Sequence, residues 1–170
     1  MTLGKKEKKN VSYQVDMDEA VHTYADLVYR LAVINTDSRA DADDVFQNVF
    51  LKLMQHQNSI QSEEHLKAWL IRVTVNECRS LMSSPWKKRN VSMEALGDPG
   101  AYDKEDLSDV TQAVLSLPAK YRVVIHLFYY EELSIKEIAA ALHLSEGGVK
   151  ARMDRGRKML AKKLKGAFTE

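Results

Sequence analysis

The sequence predicts an all-α protein of two small helical domains joined by a flexible linker. Apolar residues recur at three- and four-residue intervals through most of the chain, the spacing that gathers side chains on one face of a helix. No stretch alternates strictly between apolar and polar as a half-buried strand does, and only seven glycines and three prolines interrupt the 170 residues. Two of those prolines, Pro85 and Pro99, fall in a polar segment that separates two apolar-patterned halves. With 45% hydrophobic residues, the chain can build one core or two small ones.

Residues 1–15 begin with Lys5-Lys-Glu-Lys-Lys9 and read as a disordered basic leader. From 16 to 84 the pattern is helical almost throughout. Val21, Tyr24, Ala25, Val28 and Leu31 make one stripe, and Val45, Phe46, Val49, Phe50, Leu53 and Met54 a second. Asp37-Ser-Arg-Ala-Asp-Ala-Asp-Asp44 precedes that second stripe with acids suited to a helix N-terminus. After a polar loop, 57–64, Leu66, Trp69, Leu70 and Val73 form a third stripe. Residues 85–106 change character: Lys87-Lys-Arg89, then Gly97-Asp-Pro-Gly100 and an acidic run read as the linker. The second domain, 107–167, opens with Val110, Val114, Leu115 and Leu117 before Pro118. A helix over 119–131 then leads into its most informative stretch.

That stretch has the layout of a helix-turn-helix. Ser134 and Glu137 are spaced as a capping box, and Ile135, Ile138, Ala139 and Leu142 give the helix that follows a buried stripe. Ala139 is small enough to let two crossing helices approach. His143-Leu144 makes the turn, where His tolerates a left-handed backbone; Ser145 caps the second helix, and Val149 points back into the core. Lys150, Arg152, Arg155, Arg157 and Lys158 remain on that helix, a row of donors able to reach phosphates and guanine edges in the major groove.

Charge distribution agrees. The net charge of +1 conceals eight basic against two acidic side chains over 145–165, and thirteen basic against twenty acidic over 10–144. A basic end suits a polyanion, and an acidic body suits a protein partner. A lone Cys78 excludes an internal disulfide and a cysteine-rich zinc site. His22, His56, His65, His126 and His143 are scattered, no phosphate-binding glycine loop or catalytic order is present, and no cofactor or metal is expected. Without a signal peptide or an apolar run of membrane-spanning length, the expected location is cytoplasmic.

Taken together, Ala42-Asp-Asp-Val-Phe-Gln-Asn-Val-Phe-Leu-Lys-Leu53, Leu66-Lys-Ala-Trp-Leu-Ile-Arg-Val-Thr-Val-Asn76, Leu115-Ser-Leu-Pro-Ala-Lys-Tyr-Arg122, Glu137-Ile-Ala139 and Gly148-Val-Lys-Ala-Arg152 resemble a bacterial sigma factor of the short, extracytoplasmic-function type, with regions 2 and 4 only. The resemblance covers about residues 20–165 and implies a non-catalytic initiation subunit that binds core RNA polymerase and directs it to promoters. Asp44 and Gln47 match the family's D-x-x-Q on the helix that docks onto the polymerase β′ coiled coil. Independently, Asp41, Asn48 and Leu51 share with them a face opposite the apolar stripe. On residue chemistry alone, Asp44 could equally cap its helix.

Asn76 matches a position that holds a flipped base of the −10 element, with the 57–65 loop completing the pocket and Ile60 where some relatives carry an aromatic. Arg72, Arg79, Lys87, Lys88 and Arg89 can follow the phosphates of the open strand. Trp69 reads as core rather than as a melting residue. Ser145, Lys150, Ala151, Arg152, Arg155 and Lys158 form or flank the helix that the resemblance assigns to the −35 element, with Gly148 and Gly156 replacing the commoner Thr and Ala. Helix 119–131 carries two apolar stripes, Tyr121, Val124, Ile125 and Phe128 on one side, and Val123, Leu127 and Tyr130 on the other. The second is expected either to be exposed or to be buried within the domain. If it is exposed, it suits the polymerase β-flap and an anti-sigma factor, often membrane-tethered, which in this family mask and meet the same domain. Two rival functions are weighed: an enzyme, disfavoured by the missing motifs, and an operator-binding regulator, disfavoured by the helical first half with its D-x-x-Q.

Overall fold

Residues 12–86 and 108–167 are described by the computed structural model, and every regular element among them is helical. Helix α1 spans Met17–Asn35, α2 Arg39–His56 and α3 Glu63–Ser83; α4 spans Asp109–Leu115, α5 Ala119–Tyr129, α6 Ile135–Leu142 and α7 Glu146–Ala167. The basic leader and most of the expected linker, with Lys87, Lys88 and Arg89, lie outside the described residues.

The helix starts follow capping chemistry. Asp16, Ser38, Ser62, Ser108 and Ser134 each accept a hydrogen bond from the backbone N–H three residues on, satisfying one of the donors that a helix start leaves open. Ser134 and Glu137 close the capping box in both directions. His143 ends α6 at φ 53° and ψ 45°, the left-handed conformation its position in the turn requires.

In the first half α1, α2 and α3 pack on one another around Val28, Leu31, Val45, Val49, Leu53, Leu66 and Leu70. Three predicted stripe residues are not in the core: Val21, Met54 and Val110 are exposed. Each stands at the margin of its stripe, where helical periodicity alone does not decide burial. Trp69 is half-buried against the core. Glu63, the first residue of α3, accepts hydrogen bonds from the hydroxyls of Tyr13 and Tyr24, tying the chain before α1, and α1 itself, to the start of α3. These bonds hold the Glu63 carboxyl below its ordinary range and push the Tyr13 hydroxyl up to about 12.

In the second half α5 is central, packed against α4, α6 and α7. Gly156 explains itself here. A Cβ on it would stand 3.0 Å from Ile125 Cγ1, so its absence lets α7 cross α5 closely.

The halves are not separate bodies. One buried apolar cluster runs from Val28 and Leu70 of the first to Val123, Leu127 and Ile138 of the second. Helix α1 packs on α5, and α3 on α6. Among the described residues, polar links also cross the seam. The Arg30 guanidinium donates to both carboxylate oxygens of Glu131 at 2.7 and 2.9 Å. Arg122 donates to the Ile34 carbonyl, and Arg72 Nη1 lies 2.5 Å from His143 Nε2.

Candidate polymerase and nucleic-acid interfaces

Helix α2 buries Ala42, Val45, Val49, Phe50 and Leu53 and leaves its other face to solvent. On that face stand Asp44, Gln47, Asn48 and Leu51, at i, i+3, i+4 and i+7, all exposed. Ser38 caps this helix, so Asp44 is not its cap, and its side chain stands on the solvated face. Leu51 is 55% exposed and Met54 56%, which places two apolar side chains beside the polar group. Met54 was missed as a surface residue because it also continues the apolar stripe; its position three residues beyond Leu51 is the signal that groups it with the face.

The loop before α3 is ordered by its own side chains. Gln57–Ser59 forms a 3-10 turn, Ser59 Oγ donates to the His56 carbonyl at 2.7 Å, and the Gln61 N–H donates to His65 Nδ1 at 3.2 Å. Ile60 is 2% exposed and belongs to the core. This corrects its assignment as a base-contacting residue: burying the side chain anchors the loop and leaves Asn58, Ser59 and Gln61 outward. Along α3, Arg72, Asn76 and Arg79 recur at i, i+4 and i+7; Asn76 and Arg79 are exposed and Arg72 half-buried. Asn76 lies thirteen residues beyond Glu63, roughly 20 Å along a continuous helix.

The helix-turn-helix stands as its sequence requires. Ile138, Ala139 and Ala141 of α6 are buried, as are Val149 and Met153 of α7. Ser145 Oγ accepts from the Gly148 N–H at 3.0 Å, so this hydroxyl serves first as the cap of α7. A Cβ at Gly148 would crowd that hydroxyl at 3.1 Å, a local reason for glycine here. Lys150, Ala151, Arg155 and Lys158 are exposed and Arg152 half-buried. Lys158 pairs with Asp154 at 2.8 Å, an exposed contact one turn back. Arg157 is diverted: its Nε donates to the Tyr129 hydroxyl at 2.8 Å, and its guanidinium lies over the Phe128 and Tyr129 rings. The positive charges of Arg155 and Lys120 beside Tyr121 hold its hydroxyl below the ordinary range.

A cleft of about 870 Å³ opens between the halves, and Arg152 alone of the α7 candidates lines it beside those of α3. Arg72, Asn76 and Arg79 come from α3, Lys120 from α5, His143 from the turn and Arg152 from α7. Four cations and no carboxylate line it, in a chain with 24 acidic residues. The charged groups of this otherwise largely apolar cleft are thus all positive.

The second stripe of α5 splits between a buried part and an exposed end. Val123 is 4% exposed and Leu127 fully buried, in the cluster shared with the first half, while Tyr130 is 54% exposed and stacks on His126. Tyr130 is exposed as one expectation had it, while Val123 and Leu127 depart from both, because α1 of the first half supplies the side that covers them.

Cys78 is buried, and burial pushes its thiol up to about 12, consistent with a core residue rather than a nucleophile. Among the described residues no group of His, Cys, Asp and Glu is placed to hold a metal, and no helix is long and apolar enough to cross a membrane.

Two family models match the chain, Sigma-70 region 2 over residues 20–87 and Sigma-70 region 4 over 107–160. Among curated relatives, the ECF RNA polymerase sigma factor SigE of Mycolicibacterium smegmatis is 32% identical over 84% of this chain, which spans 59% of that protein's length. The ECF RNA polymerase sigma factor SigL of Mycobacterium tuberculosis is 30% identical over 76% of this chain and 78% of its own length. Among solved structures, the sigma factor RpoE of Bartonella quintana, crystallised with the anti-sigma factor NepR, superposes with a TM-score of 0.68 at 26% identity, covering 88% of this chain and 97% of that one. With the region 2 and region 4 models matched in order on its two helical halves, the chain belongs to the extracytoplasmic-function sigma factors, which are initiation subunits and not enzymes.

Proposed function

We propose that this chain joins core RNA polymerase through α2, directs it to promoters through −10 and −35 elements, and helps open them in the bacterial cytoplasm. The observation that carries this reading is the solvated face of Asp44, Gln47, Asn48 and Leu51. It takes no part in the fold's own core, and it sits in the same chain as a helix-turn-helix. Nothing favours an operator-binding regulator acting without polymerase. Run-off transcription with core enzyme and a promoter library tests the function: sequence-selective initiation should require this chain.

Within that reading, Asn76 and Arg79 meet the −10 strand, with Arg72 beside them, and Asn58, Ser59 or Gln61 of the loop meets a different nucleotide. Extruding a base costs a few kcal/mol, which Asn can help offset because its amide offers both a donor and an acceptor. The sigma factor RpoE of Bartonella quintana is held by an anti-sigma factor, and the same class of partner is the expected inhibitor here.

The −35 contacts are assigned to α7. Arg152→Ala and Arg155→Ala should each cost about 1–3 kcal/mol in binding to the −35 element and relax preference at one or two positions. Lys158→Ala should lower affinity across sequences and flatten its dependence on salt. Binding titrations on a panel of single-base variants at two salt concentrations separate these outcomes. Equal losses on every sequence from all three would mean that the arginines clamp phosphates and read nothing.

A further inference from the structure

We propose that the cleft between the halves is a small-molecule site for an organic phosphate with an apolar body. Arg72, Arg79, Lys120 and Arg152 hold the phosphate, and the body rests on the walls that α3, α5 and the turn before α7 supply.

At about 870 Å³ the cleft falls within the roughly 300–1,000 Å³ of pockets that take one small organic molecule, and such pockets gather where two packed units meet. Val75 and Met82 of α3, Ala119 and Val123 of α5, and Leu142 and Leu144 around the turn give it apolar walls. A bare anion gains nothing from such walls, whereas an apolar body leaves water to lie against them.

Four cations reach the same cleft, and among the described residues none of them pairs with a carboxylate. Elsewhere in the chain acids are at hand: Arg30 pairs with Glu131, Lys52 with Glu77 and Lys158 with Asp154. Arg72 and Arg152 are half-buried. A guanidinium partly withdrawn from water costs free energy unless an anion meets it. Arg72 meets the His143 imidazole, with 2.5 Å between Nη1 and Nε2, and an imidazole that accepts a hydrogen bond brings no negative charge. Arginine forks match the paired oxygens of a phosphate. Cations that need a counter-charge, set among apolar walls, specify an anion joined to an apolar body.

Naphthyl phosphate joins both features in one soluble probe, and isothermal titration of the full chain with it is the test. It should bind one to one. Inorganic phosphate lacks the body, naphthol lacks the charge and deoxyadenosine monophosphate carries a polar body, so each should bind about tenfold more weakly or worse. Arg79→Gln should weaken the naphthyl ester about tenfold, the size of one charge-assisted hydrogen bond, and Met82→Gln about threefold to tenfold through the wall, both at unchanged helical content. Arg79→Lys should recover part of the loss, because it restores the charge without the fork. Lys163→Gln, at an exposed position of α7 outside the cleft, should change nothing. No binding at millimolar probe overturns the proposal, as does a folded Arg79→Gln chain that binds like wild type. Equal binding of inorganic phosphate or naphthol overturns it too, and so does an equal loss from Lys163→Gln. Deoxyadenosine monophosphate binding as tightly as the naphthyl ester would overturn it by marking the cleft as part of the nucleic-acid surface.

Discussion

Asp44→Arg combined with Gln47→Ala is expected to weaken binding to core polymerase by two to three orders of magnitude while leaving the helical content and thermal transition close to wild type. Both side chains stand on the solvated face of α2, where substitutions usually change stability by less than about 0.5 kcal/mol. A loss of binding without a loss of fold therefore reports the interface alone. The size follows from how interfaces distribute energy: a few central residues each contribute 2 kcal/mol or more, and reversing a charge also leaves its former partner facing repulsion. Leu51, an apolar side chain 55% exposed, ends the row one turn beyond Gln47 and Asn48, next to the equally exposed Met54, which gives the face an apolar end beside its polar one. Leu51→Ser should show a smaller loss in the same direction. Titration of labelled variants against core enzyme measures both. A folded double variant that binds core as wild type does would remove α2 from the docking assignment.

What could be read in advance, and what could not, divides by the range of the interactions. The helix-turn-helix was legible down to the left-handed His143, because caps, turn and apolar spacing are local and each leaves a residue-type signature. The α2 face was legible for the same reason: five buried residues on one side of a helix define the other. Ile60 was misassigned because a loop has no periodicity, so nothing in its neighbours told a side chain anchored in the core from one presented to a base. Arg157 belonged to the basic row until Tyr129, 28 residues away, claimed its guanidinium. Most of all, Val123 and Leu127 are covered by a half of the chain about ninety residues earlier, and Glu131 finds Arg30 at a separation of 101. Periodicity shows that a helix is apolar on two sides; it does not say whose surface takes the second.

Replacing Glu131 should have the largest effect on stability of any polar substitution. Burial alone would raise its pKa, but the hydrogen bonds and charges of Arg30 and His126 outweigh burial and hold the carboxyl down to about 2. An ionised Glu131 can only accept, so His126 Nε2 is the donor at 3.0 Å, and the imidazole stacked under Tyr130 is fixed by that bond. Glu131→Ala leaves a buried His126 without its acceptor and Arg30 without its carboxylate. Breaking a buried pair by removing one partner costs about 3–5 kcal/mol, whereas Glu131→Gln keeps an amide oxygen for one donor and should cost clearly less. The pH dependence follows from the sign of the shift. A carboxyl whose pKa is depressed in the folded state contributes stability that is fully present above its unfolded value near 4.5, and loses it as pH falls toward 2. Urea unfolding from pH 7 down to pH 3 should therefore show wild type and Glu131→Gln well separated above pH 4.5 and converging below it. Parallel curves across that range would mean that the Glu131 charge contributes nothing to the fold.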